Sequence, residues 1–351
     1  MVFDALSRLG SKADRVLLYP EQWDLTVESS KDRDSQLLNL AKDKYNAKLQ
    51  PIQILAITGS NKPGSFDDPH ETFDTSITKL LAFNLTSYDR VLHLDNDITL
   101  LKNLDSLFLA PPAPIAMPRA YWLPPTSGVQ PLTSLLLLIQ PNPSELSHLL
   151  STLYHWHFND PNFAARATID MDLLNARFGS SALVLPHRPY ALLSGEFRGP
   201  FNNHSAYLGA PSSLEAWNAD TVLNEAALVH FSDWPLPKPW IMWPYEGLAE
   251  MQPDCVGLGV NCRERVIWKD LYDGFRERRK EVCALLSVPA PNWTMLKNGI
   301  SVADAKKAGK GDLAGKSRKS DVAEKNRGIG SESDKVSVGR EEEAVGTHNV
   351  M

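Results

Sequence analysis

Two aspartates one residue apart, Asp95 and Asp97, end the apolar run Val91-Leu92-His93-Leu94. In a strand, residues two apart share a face, so both carboxylates point the same way and repel unless a cation neutralises them. Hard oxygen ligands at a strand end suit Mg²⁺ or Mn²⁺, ions that keep positions open for water and substrate phosphates. A nucleotide-activated donor is the substrate class that follows. The bland alternative is that Asp95 and Asp97 only start a turn or cap a helix.

Two other chemistries share the pattern. An EF-hand loop beginning at Asp95 needs Gly at its sixth position and Glu at its twelfth, where Leu100 and Ser106 stand. The segment Asp95-Asn96-Asp97-Ile98-Thr99 also resembles the first motif of haloacid-dehalogenase-type phosphatases, in which the first Asp accepts a phosphoryl group. Those enzymes add a late acidic pair for the metal, whereas Asp67-Asp68 lies upstream of the dyad. That phosphatase is the runner-up.

The elements around the dyad decide what it can do. Residues 75–86 carry apolar side chains at helical spacing behind Asp74 as N-cap, and Leu100, Leu101, Leu104, Leu107 and Phe108 form a further amphipathic turn. The dyad is thus expected where a strand leaves a sheet, the edge at which open α/β sheets bind ligands. Helices are expected over 1–9, 35–46, 144–157 and from Asp170 through Phe178. Strands are expected over 15–19, 52–57, 90–94, 113–118, 132–140 and 226–229. This alternation builds a mixed or parallel sheet in one α/β domain.

The chain has 351 residues, 43% of them hydrophobic, ample for a buried core, and a net charge of -6 that gives no reason to invoke nucleic acid. No run approaches the roughly 18 apolar residues of a membrane span, and the first ten residues lack a signal-peptide core. From about Lys297 aromatic residues vanish and charged and small residues alternate without period, the composition of a disordered tail. The organisation expected is a folded domain over 1–295 and a charged tail over 296–351.

Further along, Asp170-Met171-Asp172-Leu173-Leu174-Asn175 opens a helix with two carboxylates, which a helix dipole alone would also favour. The strand over 226–229 delivers His230-Phe231, and a Pro-stiffened loop follows with Lys238 between Pro237 and Pro239. A His brought to a carboxylate-rich edge can complete a metal shell, and such a Lys can hold a phosphate.

The run 85–97, the later D-x-x-L-L-N of Asp170 to Asn175, and His230-Phe231 with Lys238-Pro239-Trp240 together resemble glycosyltransferase family 8, in its glycogenin-like and fungal N-acetylglucosaminyltransferase-like branches. The motifs stand in the family's order over roughly residues 75–240. The resemblance implies a GT-A fold, a Rossmann-like α/β domain with a mixed central sheet. It implies retaining transfer of a hexose or N-acetylhexosamine from a UDP-sugar, with Mn²⁺ or Mg²⁺, to a glycan or protein acceptor. By position, Asp95, Asp97 and His230 would hold the metal and Lys238 the diphosphate. Lys79 and Asn96 would help bind the donor, and Asp170 would face its reacting carbon. Where glycogenin has Gln-Gly after that Asp, Met171-Asp172 stands here, so Asp172 joins Asp170 as a catalytic candidate and the donor sugar is left open.

Family members begin with an A-x-x-T-x-x-x-Y strand that supplies uracil contacts, and fungal relatives carry a membrane anchor ahead of it. Neither is recognised here, so the first strand is expected to be missing, with the activity impaired by truncation. A catalytically dead partner that dimerises with an active transferase is the non-enzymatic alternative, and a homodimer is left open. The family suggests the Golgi lumen; without an address the cytoplasm is the default. Cys255 and Cys262 form either a short disulfide or reduced thiols. Asn203-His204-Ser205 and Asn292-Trp293-Thr294 are glycosylation sequons, with Asn84-Leu85-Thr86 a less plausible third. Trp217, Trp234, Trp240, Trp243 and Trp268 are expected mainly in the core or as loop anchors, and Arg276, Arg278, Arg279 and Lys280 on a solvated helix face.

Overall fold

A computed structural model of the chain divides into Met1–Lys307 and Ala308–Met351. It describes residues 1–55, 76–126, 128–159, 169–198, 204–209, 215–253, 255 and 262–297. Residues 56–57 of one expected strand, Asp74 and the tail beyond 297 lie outside the described residues.

The described chain begins with helix α1 (Val2–Arg8), strand β1 (Arg15–Pro20), helix α2 (Arg33–Tyr45) and strand β2 (Ala47–Ile52). β1 and β2 pair in parallel, with α2 as the crossover between them. The strand expected over 52–57 thus ends where it was to begin. Asn46 in the left-handed region stops α2, and the chain enters β2 directly beside β1.

A 3-10 helix, Ser76–Asn84, precedes β3 (Val91–Leu94) and β4 (Ile98–Leu100). Its buried Ile77, Leu80 and Phe83 recur every third residue, the spacing at which a three-residue turn stacks side chains on one row, and this explains why the expected α-helix is wound more tightly. β5 (Ile115–Pro118) and β6 (Leu136–Ile139), buried along their whole length, precede α3 (Pro143–Asn159) and α4 (Ile169–Phe178). β7 (Leu183–Leu185), β8 (Leu192–Leu193) and β9 (Leu228–His230) complete the strands among the described residues, and the long α5 (Arg263–Cys283) follows.

The class is α/β with mixed sheets, as a Rossmann-like GT-A domain requires, but the strands are shared among three sheets. The four-stranded sheet runs β3-β6-β5-β7, antiparallel except for β5 with β7. The three-stranded sheet runs β4-β9-β8, with β4 antiparallel and β8 parallel to β9. Consecutive strands β3 and β4 therefore belong to different sheets, and Asp95-Asn96-Asp97 is the link between them. On the far side of the four-stranded sheet, α3, α4 and the 3-10 helix bury Leu146, Leu149, Leu173, Leu174 and Phe178. No described helix is long and apolar enough to cross a membrane.

One carboxylate ties three helices together. Asp4 of α1, 3% exposed, receives a two-pronged contact from Arg278 of α5 at 2.7 and 2.8 Å, a hydrogen bond from Tyr45 of α2 at 3.1 Å and another from Arg8 at 3.0 Å. Two arginines of the expected solvated face are thus structural: Arg278 here, and Arg276, whose guanidinium lies 4.5 Å from the Trp243 ring centre. Hydrogen bonds from Arg278 foremost, working against burial, hold the Asp4 carboxyl well below the usual range. A depressed carboxyl contributes stability that is complete above its unfolded value and lost as pH falls toward the folded one. Asp4→Asn should therefore lower unfolding free energy by about 2 kcal/mol at neutral pH in urea titrations. The gap to wild type should narrow as pH drops below about 4.

Candidate active site

The switch between sheets draws the polar groups together. β3 is held to β6 through Leu94↔Leu136, and the Asp95 N–H continues that ladder by donating to the Leu135 carbonyl at 3.1 Å. After Asn96 the chain joins the second sheet, where Ile98 pairs with His230 and the Phe231 N–H donates to the Asp97 carbonyl at 2.9 Å. His230 thus arrives beside the dyad because it ends β9 opposite the first residue of β4. Ligand atoms of Asp95, Asp97 and His230 lie within 4.8 Å of one another, the one such group of His, Cys, Asp or Glu among the described residues. His230 Nε2 is 3.2 Å from Asp97 Oδ2.

Two lysines pair with the carboxylates. Lys79, on the 3-10 helix, places its ammonium 2.7 Å from Asp95 Oδ1 and 3.0 Å from Asp170 Oδ2. Lys238 donates to Asp97 Oδ2 at 2.5 Å and to the Phe231 carbonyl at 2.6 Å. Asp170, at the start of α4, also accepts from Ser76 Oγ at 3.0 Å and Ser134 Oγ at 2.7 Å. The two serines carried no signal in the sequence, since an isolated Ser has no motif. Asn175 of the same motif acts differently: its amide accepts from the Leu132 N–H at 2.8 Å and donates to the Leu132 carbonyl at 2.7 Å, pinning α4 to the approach of β6.

The electrostatics follow from burial and pairing. Burial works to lower the Lys79 ammonium, but Asp95 and Asp170 outweigh it and raise the group, so it stays charged. Burial lifts Asp95, with Lys79 opposing and Asp97 adding to the rise. For Asp97 burial is overcome by His230 and Lys238, and for Asp170 by Lys79 and the two serines, so both are held low. His93, two residues before Asp95 on the same face, is pushed down to about 3 by burial and then by the Lys79 charge, and is neutral. Three carboxylates thus face two ammonium groups.

Six of the eight expected site residues meet here: Lys79, Asp95, Asp97, Asp170, His230 and Lys238. The other two do not join them. Asn96 is exposed in the bend between β3 and β4, and its side chain gives no hydrogen bond or ion pair to the cluster. Asp172 is half-buried on α4, and two residues on a helix turn it by about 200° from Asp170, away from Lys79.

Of Trp217, Trp234, Trp240, Trp243 and Trp268, only Trp234 is more than half exposed, at 56%. Cys255 and Cys262 are joined in a disulfide. The side chains of Lys79 and Lys238 are 11% and 40% exposed. Removing the cation from a buried cluster strands its partners, whereas removing an exposed one costs little. Lys79→Met should thus lose about 3 kcal/mol of unfolding free energy in urea titrations, and Lys238→Met less than about 1 kcal/mol.

No family model matches the chain. A protein of Aspergillus fumigatus named Glucose N-acetyltransferase 1 is 50% identical over 292 residues, covering 81% of this chain and 72% of that protein. The protein of the same name from Gibberella zeae is 43% identical over 84% of this chain and 61% of its own length. The Saccharomyces cerevisiae one is 23% identical, over 59% of this chain and 63% of its own. Among solved structures, the galactosyltransferase LgtC in complex with donor and acceptor sugar analogs matches at a TM-score of 0.46 and 14% identity, over 77% of this chain and 89% of that one. The glycosyltransferase GlyE of Streptococcus pneumoniae matches at 0.43 and 17%, over 79% and 59%. On the strength of the Aspergillus relative, the chain belongs to the Glucose N-acetyltransferase 1 family of transferase enzymes.

Proposed function

We propose that the protein is a glycosyltransferase that moves a hexose or N-acetylhexosamine from a UDP-sugar to a glycan or protein acceptor, with Mn²⁺ or Mg²⁺ as cofactor. The convergence of Asp95, Asp97 and His230 beside Lys238 at one sheet junction carries this reading. The donor set fits such an ion: two carboxylate oxygens and an imidazole nitrogen, close enough to share one centre and with an excess of negative charge around them. When bound, the ion supplies charge stabilisation for the departing diphosphate. Lys238, on its Pro-flanked loop, holds and neutralises the same diphosphate. Lys79 bridges Asp95 and Asp170, fixing the position of the metal-side carboxylate relative to the sugar-side one.

Asp170 stays ionised and stabilises positive charge developing on the sugar. Its oxygens already receive Ser76, Ser134 and Lys79, which suits an electrostatic part better than a covalent one. The resemblance of the motifs to fungal N-acetylglucosaminyltransferases makes N-acetylglucosamine the first donor sugar to test. The disulfide favours an oxidising compartment, in keeping with the Golgi lumen. The phosphatase reading, with Asp95 as nucleophile, has His230 rather than an acidic pair beside the dyad.

Isothermal titration of UDP in Mn²⁺ tests the assignment. Wild type should bind in a metal-dependent way, and Asp97→Ala should lose that binding together with Mn²⁺-dependent hydrolysis of UDP-N-acetylglucosamine. Retention of both by the variant would overturn the metal assignment. Turnover of p-nitrophenyl phosphate without any response to uridine would select the phosphatase instead.

A further inference from the structure

Between His230 and Lys238 lies a carboxylate with no place in the site so far. Asp233 is 2% exposed, and a buried carboxylate on a loop is costly unless paired and hydrogen-bonded. Here the Tyr272 hydroxyl of α5 donates to Oδ2 at 2.6 Å, the Ser194 hydroxyl donates to the same oxygen, and Arg198 Nε lies 2.7 Å from Oδ1. Ser194 also accepts from the Ser232 N–H at 3.0 Å. It directly follows β8, whose Leu193 stands beside His230 in register. The Asp233 carbonyl closes a turn by accepting from the Leu236 N–H at 2.8 Å, and Lys238 follows. The ring of Tyr272 packs against Phe231 with centres 4.7 Å apart, and the Phe231 carbonyl receives Lys238.

These contacts hold one short loop at its two ends and in its middle. Its near end leaves β9 at His230, its middle is anchored by Asp233 to α5 and to the turn Ser194–Arg198, and its far end delivers Lys238 back to Asp97. A lysine side chain loses substantial rotamer freedom when held, so a fixed backbone beneath it sets how often its ammonium stands over the dyad.

We propose that Asp233 is a positioning residue: through Tyr272, Ser194 and Arg198 it fixes the 231–238 loop so that Lys238 is held against Asp97. Its consequence for donor binding rests on the function proposed above, while its hold on the loop does not.

Competitive amine acetylation with limiting reagent, quantified residue by residue by mass spectrometry on the full chain, reads that hold directly. Lys79, carried by a different element, serves as internal control. In Asp233→Asn the rate at Lys238 should rise about fivefold, with Lys79 unchanged, as expected for local rather than global opening. UDP affinity in Mn²⁺ should fall about tenfold, the loss expected when a charged hydrogen-bond partner is removed. Tyr272→Phe and Ser194→Ala should shift Lys238 in the same direction and keep the test alive if Asp233→Asn does not fold. A parallel rise at both lysines, or no change at Lys238, would overturn the proposal. Wild type that binds no UDP would refute the donor reading and leave the labelling result to decide the role of Asp233.

Discussion

Everything around the candidate site answers one electrostatic constraint: three carboxylates are crowded at the point where the chain leaves one sheet for another. Asp95, Asp97 and Asp170 cannot share so small and so partly buried a space unless cations stand between them. Lys79 separates two of the three and Lys238 covers the third. The neighbouring His93 is denied a charge by burial and by Lys79. What remains is a half-buried cluster in which two carboxylate oxygens and an imidazole nitrogen lie close together, flanked by paired cations. The lysines are thus part of the fold before they are part of any chemistry, and the more buried one is the more structural.

The constraint also explains the use of separate sheets. Had β3 and β4 been one continuous strand, Asp95 and Asp97 would have been successive residues on one face of a single sheet, with no third ligand opposite. By changing sheets at Asn96 the chain gives Asp97 to the ladder that contains β9, and the register Ile98↔His230 then supplies the imidazole without any long loop. Strand register, which elsewhere sorts apolar from polar faces, here sets which side chains meet the dyad.

Much of this was legible from residue types. The dyad, His230 and Lys238 stand in motifs whose chemistry is tied to spacing, and strong apolar runs gave α3 nearly to its ends and located β6, though its ladder holds only Leu136–Ile139 of the run 132–140. What could not be read depended on partners far away in the chain. Asp233, Ser76 and Ser134 carry no pattern, and their meaning comes from contacts with residues 39, 94 and 36 positions away. The arginines of α5 look like a solvated stripe because a helical wheel cannot show Asp4 or Trp243. The tight winding of Ser76–Asn84 was likewise hidden, since apolar residues at every third position satisfy two helical periods at once. Asp172 is named from its place after Asp170 in a family motif, and on α4 the two side chains leave the helix about 200° apart.

The contact between Asp4 and Arg278 spans 274 positions. During synthesis the first helix emerges early, with an acidic group that has only Arg8 and, later, Tyr45 to satisfy it, and its main partner is added only when α5 leaves the ribosome. Ala5 of α1 packs among Ile98, Leu100 and Leu104, so this helix settles on the middle of the chain first, and only its buried carboxylate waits for α5 to be completed.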